Sequence, residues 1–365
     1  MGAPVLRFWL VCWLAVFAGS IESRGASYLD ENPDEVFAGV YSQLGIKLPV
    51  QVAREPDVWA TLDQLKRESC DQKSIGDLAL LLDRLGYRRE AALAPYNFVK
   101  RCGQPVLALH KSIDLLLKLS DYALALEVAD EFMRRAPTNF NAHYLRGVAL
   151  EAIGDYKRAL VDYADAVELF NDKRNISSRV FLRMANCYAK LERFCEAASP
   201  IMTWIALDPI GRDTSKTRKI VEDYEQQGNC AVTRESQKER FAARGGRVIL
   251  AKGEVNGVRG TFIIDTGASY VSLKLAFAER AKVSLVGASE ITLSTANGRA
   301  KGRLTHADAV ALGRLRAANV PVVVQNVDDT SYGSGVDGLL GMSFLSRFDL
   351  QMSGGFLEIR TRGKK

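Results

Sequence analysis

The sequence predicts an α-helical repeat region followed by a mostly β domain. Three observations predict it. Leu, Ala and charged residues recur at spacings of three and four from about residue 28 to 230, as in Leu115-Leu116-Leu117. Ser120-Asp121-Tyr122 with Ala125 recurs 34 residues later as Gly154-Asp155-Tyr156 with Ala159. After residue 247 the pattern changes to short β-branched runs separated by Asn-Gly and Gly-Gly pairs.

Composition sets the outer limits. The chain has 365 residues, 47% apolar and 25% charged, enough for two cores and unlike a disordered or multi-span membrane chain. Its net charge is +6, with basic residues scattered rather than interleaved with aromatics. That argues against nucleic-acid binding. Only three histidines occur, His110, His143 and His306, and no two share a metal-ligand spacing. No metal and no cofactor is expected. Gly333-Ser334-Gly335-Val336-Asp337-Gly338 fits a dinucleotide pattern but stands in a polar stretch without a βαβ unit.

Residues 1–20 carry Arg7, an apolar run from Phe8 to Ala18 and the small residues Ala18-Gly19-Ser20. This is the layout of a signal peptide cut near Ser20. The run is shorter than the roughly 20 residues that span a bilayer. It predicts a periplasmic or secreted protein, with an uncleaved anchor as the alternative. Five cysteines then remain, Cys70, Cys102, Cys187, Cys195 and Cys230. Export would let disulfides persist, one cysteine must stay unpaired in a monomer, and spacing leaves the connectivity open.

The helical region is assigned to 28–230. A third copy of the repeat has Phe194, Ala197, Trp204 and Pro209, shifted 38 from the second, with Asn171–Ser178 taking the extra residues. Leu85-Gly86-Tyr87 with Glu90-Ala91-Ala92 marks a degenerate earlier copy. In the middle unit Gly147, Gly154, Tyr156, Ala159, Tyr163 and Ala166 are spaced as in a tetratricopeptide repeat, and residues 106–209 resemble that family. Small residues let two antiparallel helices approach, and an aromatic wedges between them. Pro200, inside the second helix of the third unit, predicts a kink or shortening. The resemblance implies a groove for a protein partner, with a plain packing spacer as the alternative.

Residues 231–246 form a charged, Gly-ended linker, and the β domain follows over 247–362. Val248–Val255 and Phe262–Ile264 flank the hairpin dipeptide Asn256-Gly257. Asn297-Gly298 marks a second hairpin between Ile291–Thr295 and Arg299–Val310. Val320–Val324 is a strand whose pairing Pro321 limits near its start. Phe348–Met352 and Phe356–Arg360 flank Gly354-Gly355, and helical spacing survives in Leu273–Lys282 and Met342–Arg347.

The chemistry-bearing segment is Phe262-Ile263-Ile264-Asp265-Thr266-Gly267-Ala268-Ser269. An acid directly after buried-type residues is costly unless used or well bonded. A hairpin, Thr295-Ala296-Asn297-Gly298, follows about 30 residues later, and then Asp337-Gly338-Leu339-Leu340-Gly341-Met342-Ser343-Phe344-Leu345. That order resembles the retropepsin-like aspartic peptidases, over about 245–362, and most of all their bacterial single-domain branch. The resemblance implies a closed β-barrel and Asp265 as the catalytic acid. It implies Thr266 bonding across two facing loops, Gly267 admitting backbone beside the carboxylate, and Ala268 and Ser269 at the substrate. It also implies Ser294–Arg303 as a mobile cover, with Ala296, Asn297 and Gly298 over an extended peptide, and an ordinary exposed hairpin is the alternative.

The sequence holds one Asp-Thr-Gly, and Asp337 belongs to the apolar-Gly segment. A chain of this kind supplies half an active site, so a homodimer through the β domain is expected. Two facing aspartates share one proton; one activates water and the other protonates the developing oxyanion. Ala268 offers no hydroxyl to the carboxylate, which predicts activity reaching mildly acidic or near-neutral pH. The expected function is an exported aspartic endopeptidase whose repeats recruit a protein substrate. A rival is a binding scaffold in which the β domain only dimerises, and a third reading is self-cleavage at Thr233–Arg247.

Overall fold

A computed structural model describes residues 30–228, 230, 237–243, 248–295, 298–327 and 331–362. The expected signal peptide, 1–20, lies outside them. Among the described residues no helix is long and apolar enough to cross a membrane.

The N-terminal part is helical. Four opening helices, α1 (Pro33–Val36), α2 (Ala38–Leu44), α3 (Val50–Ala53) and α4 (Pro56–Arg67), precede the repeats. The repeats form four helical hairpins. These are α5 (Gln72–Arg84) with α6 (Arg88–Cys102), α7 (Ala108–Lys118) with α8 (Tyr122–Arg135), α9 (Phe140–Ala152) with α10 (Tyr156–Leu169), and α11 (Ser178–Lys190) with α12 (Phe194–Leu207). Short α13 (Pro209–Arg212) and α14 (Ser215–Gly228) close the array.

The recurring sequence signal has a local cause. Each hairpin turns through one residue of positive φ: Gly86 at 89°, Ser120 at 58°, Gly154 at 85° and Glu192 at 60°. Asp121 and Asp155 then cap the second helix, accepting from the amides of Leu124 and Arg158. Between the helices a Cβ at Gly147 would stand 2.6 Å from the Tyr163 ring, so only glycine admits that aromatic. Tyr163 is fully buried, and its hydroxyl donates to Glu151 at 2.6 Å. Helix α12 runs on past Pro200 to Leu207, so the proline does not shorten it.

Cys70 pairs with Cys102 across α5 and α6, and Cys195 pairs with Cys230. Cys187 is free and buried. The first bridge, 32 residues apart, joins the ends of the α5–α6 hairpin, and the second, 35 apart, joins the start of α12 to the residues just past α14.

The C-terminal part is β-rich. Its strands are β1 (Lys238–Ala242), β2 (Ile249–Val255), β3 (Val258–Ile264), β4 (Val271–Lys274), β5 (Ser289–Thr295), β6 (Gly298–Leu312), β7 (Leu315–Gln325), β8 (Gly338–Leu340), β9 (Phe348–Ser353) and β10 (Phe356–Thr361). Helix α15 (Leu275–Arg280) follows β4, and α16 (Met342–Leu345) follows β8. The main sheet runs β2-β3-β8-β4-β7-β6-β5, and β2 also pairs with β6, which closes a six-stranded barrel. Long β6 gives one edge to β7 and shares the other between β5 and β2. Phe262, Val271, Leu273, Val310, Val322 and Leu340 are among the side chains that fill the barrel.

Three boundaries differ from the sequence expectation. Lys238–Ala242, inside the predicted linker, forms β1 and pairs with β10 in a three-stranded sheet, β1-β10-β9. The predicted helix from Leu273 starts only at Leu275, because Val271–Lys274 pair in parallel with Val322–Gln325. Strand β7 starts at Leu315 and passes through Pro321, which sits opposite His306.

Candidate active site

The Asp265 loop is set by a threaded strand. Asn256 and Gly257, at φ 50° and 80°, turn β2 back into β3. Strand β8 then enters beside β3 in parallel, Ile264 opposite Leu340, while its other edge pairs antiparallel with β4, Ser272 opposite Leu339. The chain from Asp265 to Tyr270 therefore bridges the two neighbours of β8. The Asp265 amide donates to the Leu340 carbonyl at 3.0 Å. Beyond it the amides of Met342 and Ser343, the first of α16, donate to the carbonyls of Ala268 (2.8 Å) and Ser269 (3.0 Å). A helix start leaves such donors without partners of its own, so the loop satisfies the helix while the helix holds the loop.

The glycines of the Gly338-Leu339-Leu340-Gly341 segment have the same cause. A Cβ at Gly341 would lie 2.1 Å from the Tyr270 carbonyl oxygen, and one at Gly338 2.0 Å from that of Ser272. No side chain fits where these backbones cross.

Within the loop, the Gly267 amide donates to Asp265 Oδ1 at 2.8 Å, and a Cβ at Gly267 would come within 3.2 Å of that oxygen. Asp265, Ala268 and Ser269 are half-buried, whereas Thr266 and Gly267 are exposed on the single chain. The five residues expected at the site thus share one loop. Of the expected cover residues, Gly298 opens β6, and Ala296 and Asn297 lie outside the described residues. The hairpin is closed by the pair Thr295 and Gly298, with the Thr295 hydroxyl donating to the Gly298 carbonyl at 2.7 Å.

Asp337 is occupied elsewhere. Its carboxylate accepts from the Thr261 amide and from Arg280, both at 2.9 Å, and its amide donates back to Thr261 at 2.8 Å. It ties β3, β8 and α15 together three residues back from the end of β3.

The sequence did not single out Ser343, Tyr270, Asp165 or Arg347. Ser343 is buried and bonds both Val271 and Pro321. Tyr270 is buried against the helical part, and burial pushes its hydroxyl well above the ordinary tyrosine range, with Tyr188, Glu168 and Asp165 acting in the same sense. Asp165 accepts from the Thr292 amide of β5 at 2.5 Å. Arg347 spans β7 and α12 through Asn319 and Ser199. Local pattern carries no trace of partners 127 or 148 residues apart.

Comparison with known proteins follows the same division. The family profile described as aspartyl protease matches residues 251–344. A retropepsin-like aspartic protease from Rickettsia conorii is 25% identical, with a TM-score of 0.29, over 36% of this chain and 95% of that chain. MamA from Desulfovibrio magneticus is 17% identical, with a TM-score of 0.37, over 50% of this chain and 99% of its own. A thermophilic TPR protein of Thermus thermophilus is 19% identical, with a TM-score of 0.33, over 54% of this chain and 97% of its own. No curated protein matches the sequence. Over residues 251–344 the chain matches the aspartyl protease family, within a retropepsin-like closed β-barrel that is joined to a helical region of tetratricopeptide-like repeats.

Proposed function

We propose that the protein is an exported aspartic endopeptidase, active as a homodimer in which Asp265 of one protomer faces Asp265 of its partner. The observation that carries this reading is the Asp265 loop itself. Its aspartate is fixed by Leu340 and Gly267, and the next two residues are exposed on the single chain. The only other aspartate in the paired motif, Asp337, is already bonded to Thr261 and Arg280. A second carboxylate must then come from a second copy.

In such a dyad the two carboxyl groups share one proton, because two like charges in contact cannot both persist. The ionised carboxylate takes a proton from water as its oxygen attacks the peptide carbonyl. The protonated one donates to the developing oxyanion. Thr266 holds the two loops together, Gly267 brings its backbone beside the carboxylate, Ala268 and Ser269 line the substrate backbone, and hairpin β5–β6 covers it, with Ala296, Asn297 and Gly298 at its end. The helical repeats present the protein substrate.

The test uses the full chain and denatured casein, with cleavage read by mass spectrometry and assembly by analytical ultracentrifugation. Wild type cuts casein as a dimer, and Asp265→Asn dimerises without cutting. Equal cleavage by Asp265→Asn overturns the catalytic reading, and cleavage by a strict monomer overturns the dimer. A wild type that dimerises and cuts nothing favours a dimerising scaffold.

A further inference from the structure

We propose that helix α10 forms the end wall of the substrate cleft, and that Asp165 is the positioning residue that fastens the covering hairpin to that wall. The inference rests on the peptidase reading for the word substrate, but the fastening stands on contacts alone.

Strand β5 is the outermost strand of its sheet, bonded on one edge to β6. Residues alternate along a strand, so the closing pair Thr295 and Gly298 directs the backbone groups of 291, 293 and 295 toward β6. Those of 290, 292 and 294 point outward. An extended peptide that adds to this edge must use the outward groups. The Thr292 amide is already taken, donating to Asp165 Oδ1 at 2.5 Å. One outward position further on, the Ser294 hydroxyl donates to the Glu168 carbonyl, in the last turn of α10, at 2.9 Å. Helix-end carbonyls lack partners within the helix, so this bond satisfies both elements. Peptide addition along β5 can therefore reach only from Ser294 toward the hairpin end.

The same helix closes the opposite side. Val167 of α10 and Tyr188 of α11 line, with Ser269 and Tyr270, a cavity of about 20 Å³ behind the Asp265 loop. That volume holds one water and no side chain. Ile291, Leu293, Leu304 and Tyr270 pack in one apolar cluster with Val167 and Tyr188. Helix α10 thus spans from the hairpin edge to the residues that follow Asp265. A peptide lying between them meets the helix.

Behind Asp165 stands a buried imidazole that is close to it without a hydrogen bond. Asp165 Oδ2 lies 3.5 Å from His143 Nδ1, which is 3.7 Å from Asp162. Asp162 is gripped by Arg146 through two bonds of 2.8 and 2.7 Å. In a two-fold dimer a copy of α10 stands at each end of the cleft. The fitting substrate is then a short extended stretch whose chain turns away at both ends, as an exposed turn of a folded protein or a bend in a denatured one does.

Hydrogen–deuterium exchange of the hairpin in the full chain tests the fastening. Asp165→Ala speeds exchange over residues 289–303 by about tenfold, and Asp165→Asn, which keeps an acceptor oxygen, leaves it near wild type. Should Asp165→Ala fail to fold, Thr292→Pro carries the test, because it deletes the same donor and no ladder bond. Exchange within about twofold of wild type in the folded variant overturns the proposal. Nested synthetic peptides around a bond cut in casein test the wall. Lengthening them from about eight to about twelve residues leaves wild-type kcat/KM within about twofold and lowers KM in Asp165→Ala. A wild-type gain of about tenfold with length overturns the wall. If wild type cuts nothing, the peptidase reading has failed, and hairpin exchange still decides the fastening.

Discussion

The Ser343 hydroxyl joins two backbones, accepting from the Val271 amide at 2.9 Å and donating to the Pro321 carbonyl at 2.7 Å. Ser343 is only 2% exposed, so bulk water does not reach either bond. Ser343→Ala leaves a buried donor and a buried acceptor unpaired, which costs about 2–4 kcal/mol. Urea unfolding of the two proteins measures it, and a loss below about 1 kcal/mol contradicts the role given to this hydroxyl.

Arg347 joins the two parts of the chain. It is buried, donates to the carbonyls of Ala318 and Asn319, and reaches Ser199 in α12 at 3.1 Å. Burial pushes its guanidinium down to about 10, against the pull of Glu225 and Glu196. Arg347→Ala removes these bonds and the packing of the stem, at a cost of about 3 kcal/mol or more. Calorimetry is expected to show the helical and β parts melting in two steps. A single transition at the wild-type temperature refutes it.

Asp165 gives the stability a definite pH slope. Burial raises its pKa from the ordinary 3.8, although the Thr292 amide and His143 act in the opposite sense. A raised acid binds more protons folded than unfolded, so its contribution is best below 3.8 and falls as pH rises through the folded value. Asp165→Asn has no such slope. Wild type therefore loses ground to the variant as pH rises from about 4 to about 7. Chemical denaturation at the two pH values checks the sign.

The Cys70–Cys102 bridge closes a loop of 32 residues. Opening it with the double variant Cys70→Ser, Cys102→Ser frees the unfolded chain and costs about 3–4 kcal/mol. Thermal melting under non-reducing conditions measures the loss. An unchanged melting temperature shows that the bridge adds nothing.

The parts legible in the sequence are those whose cause is local. Asn256-Gly257 turns a hairpin because both residues take positive φ. Asp121 and Asp155 recur because each caps a helix. The segment from Gly338 to Gly341 reads as a motif because crossing backbones exclude a Cβ at both of its glycines. The missed parts have distant causes. Lys238–Ala242 is polar and half-exposed, and only its pairing with β10 makes it a strand. Leu273 and Lys274 carry the helical spacing of the residues after them, yet strands on both sides claim them. The end wall depends on Asp165 meeting Thr292, and neither residue has a neighbour that marks it.

Strand β8 has three residues, and it is the last strand to join the barrel in chain order. Its partner β3 ends more than seventy residues earlier, at Ile264. Until Gly338–Leu340 has been made and threaded between β3 and β4, the Asp265 amide lacks its Leu340 partner and only β2 flanks β3. The nascent chain therefore carries the aspartate for most of the barrel's synthesis without an assembled site. Closing so long a loop is also slow compared with pairing the helical repeats, whose contacts are local. Chain order and contact range both place assembly of the candidate site after that of the helical array that receives the hairpin.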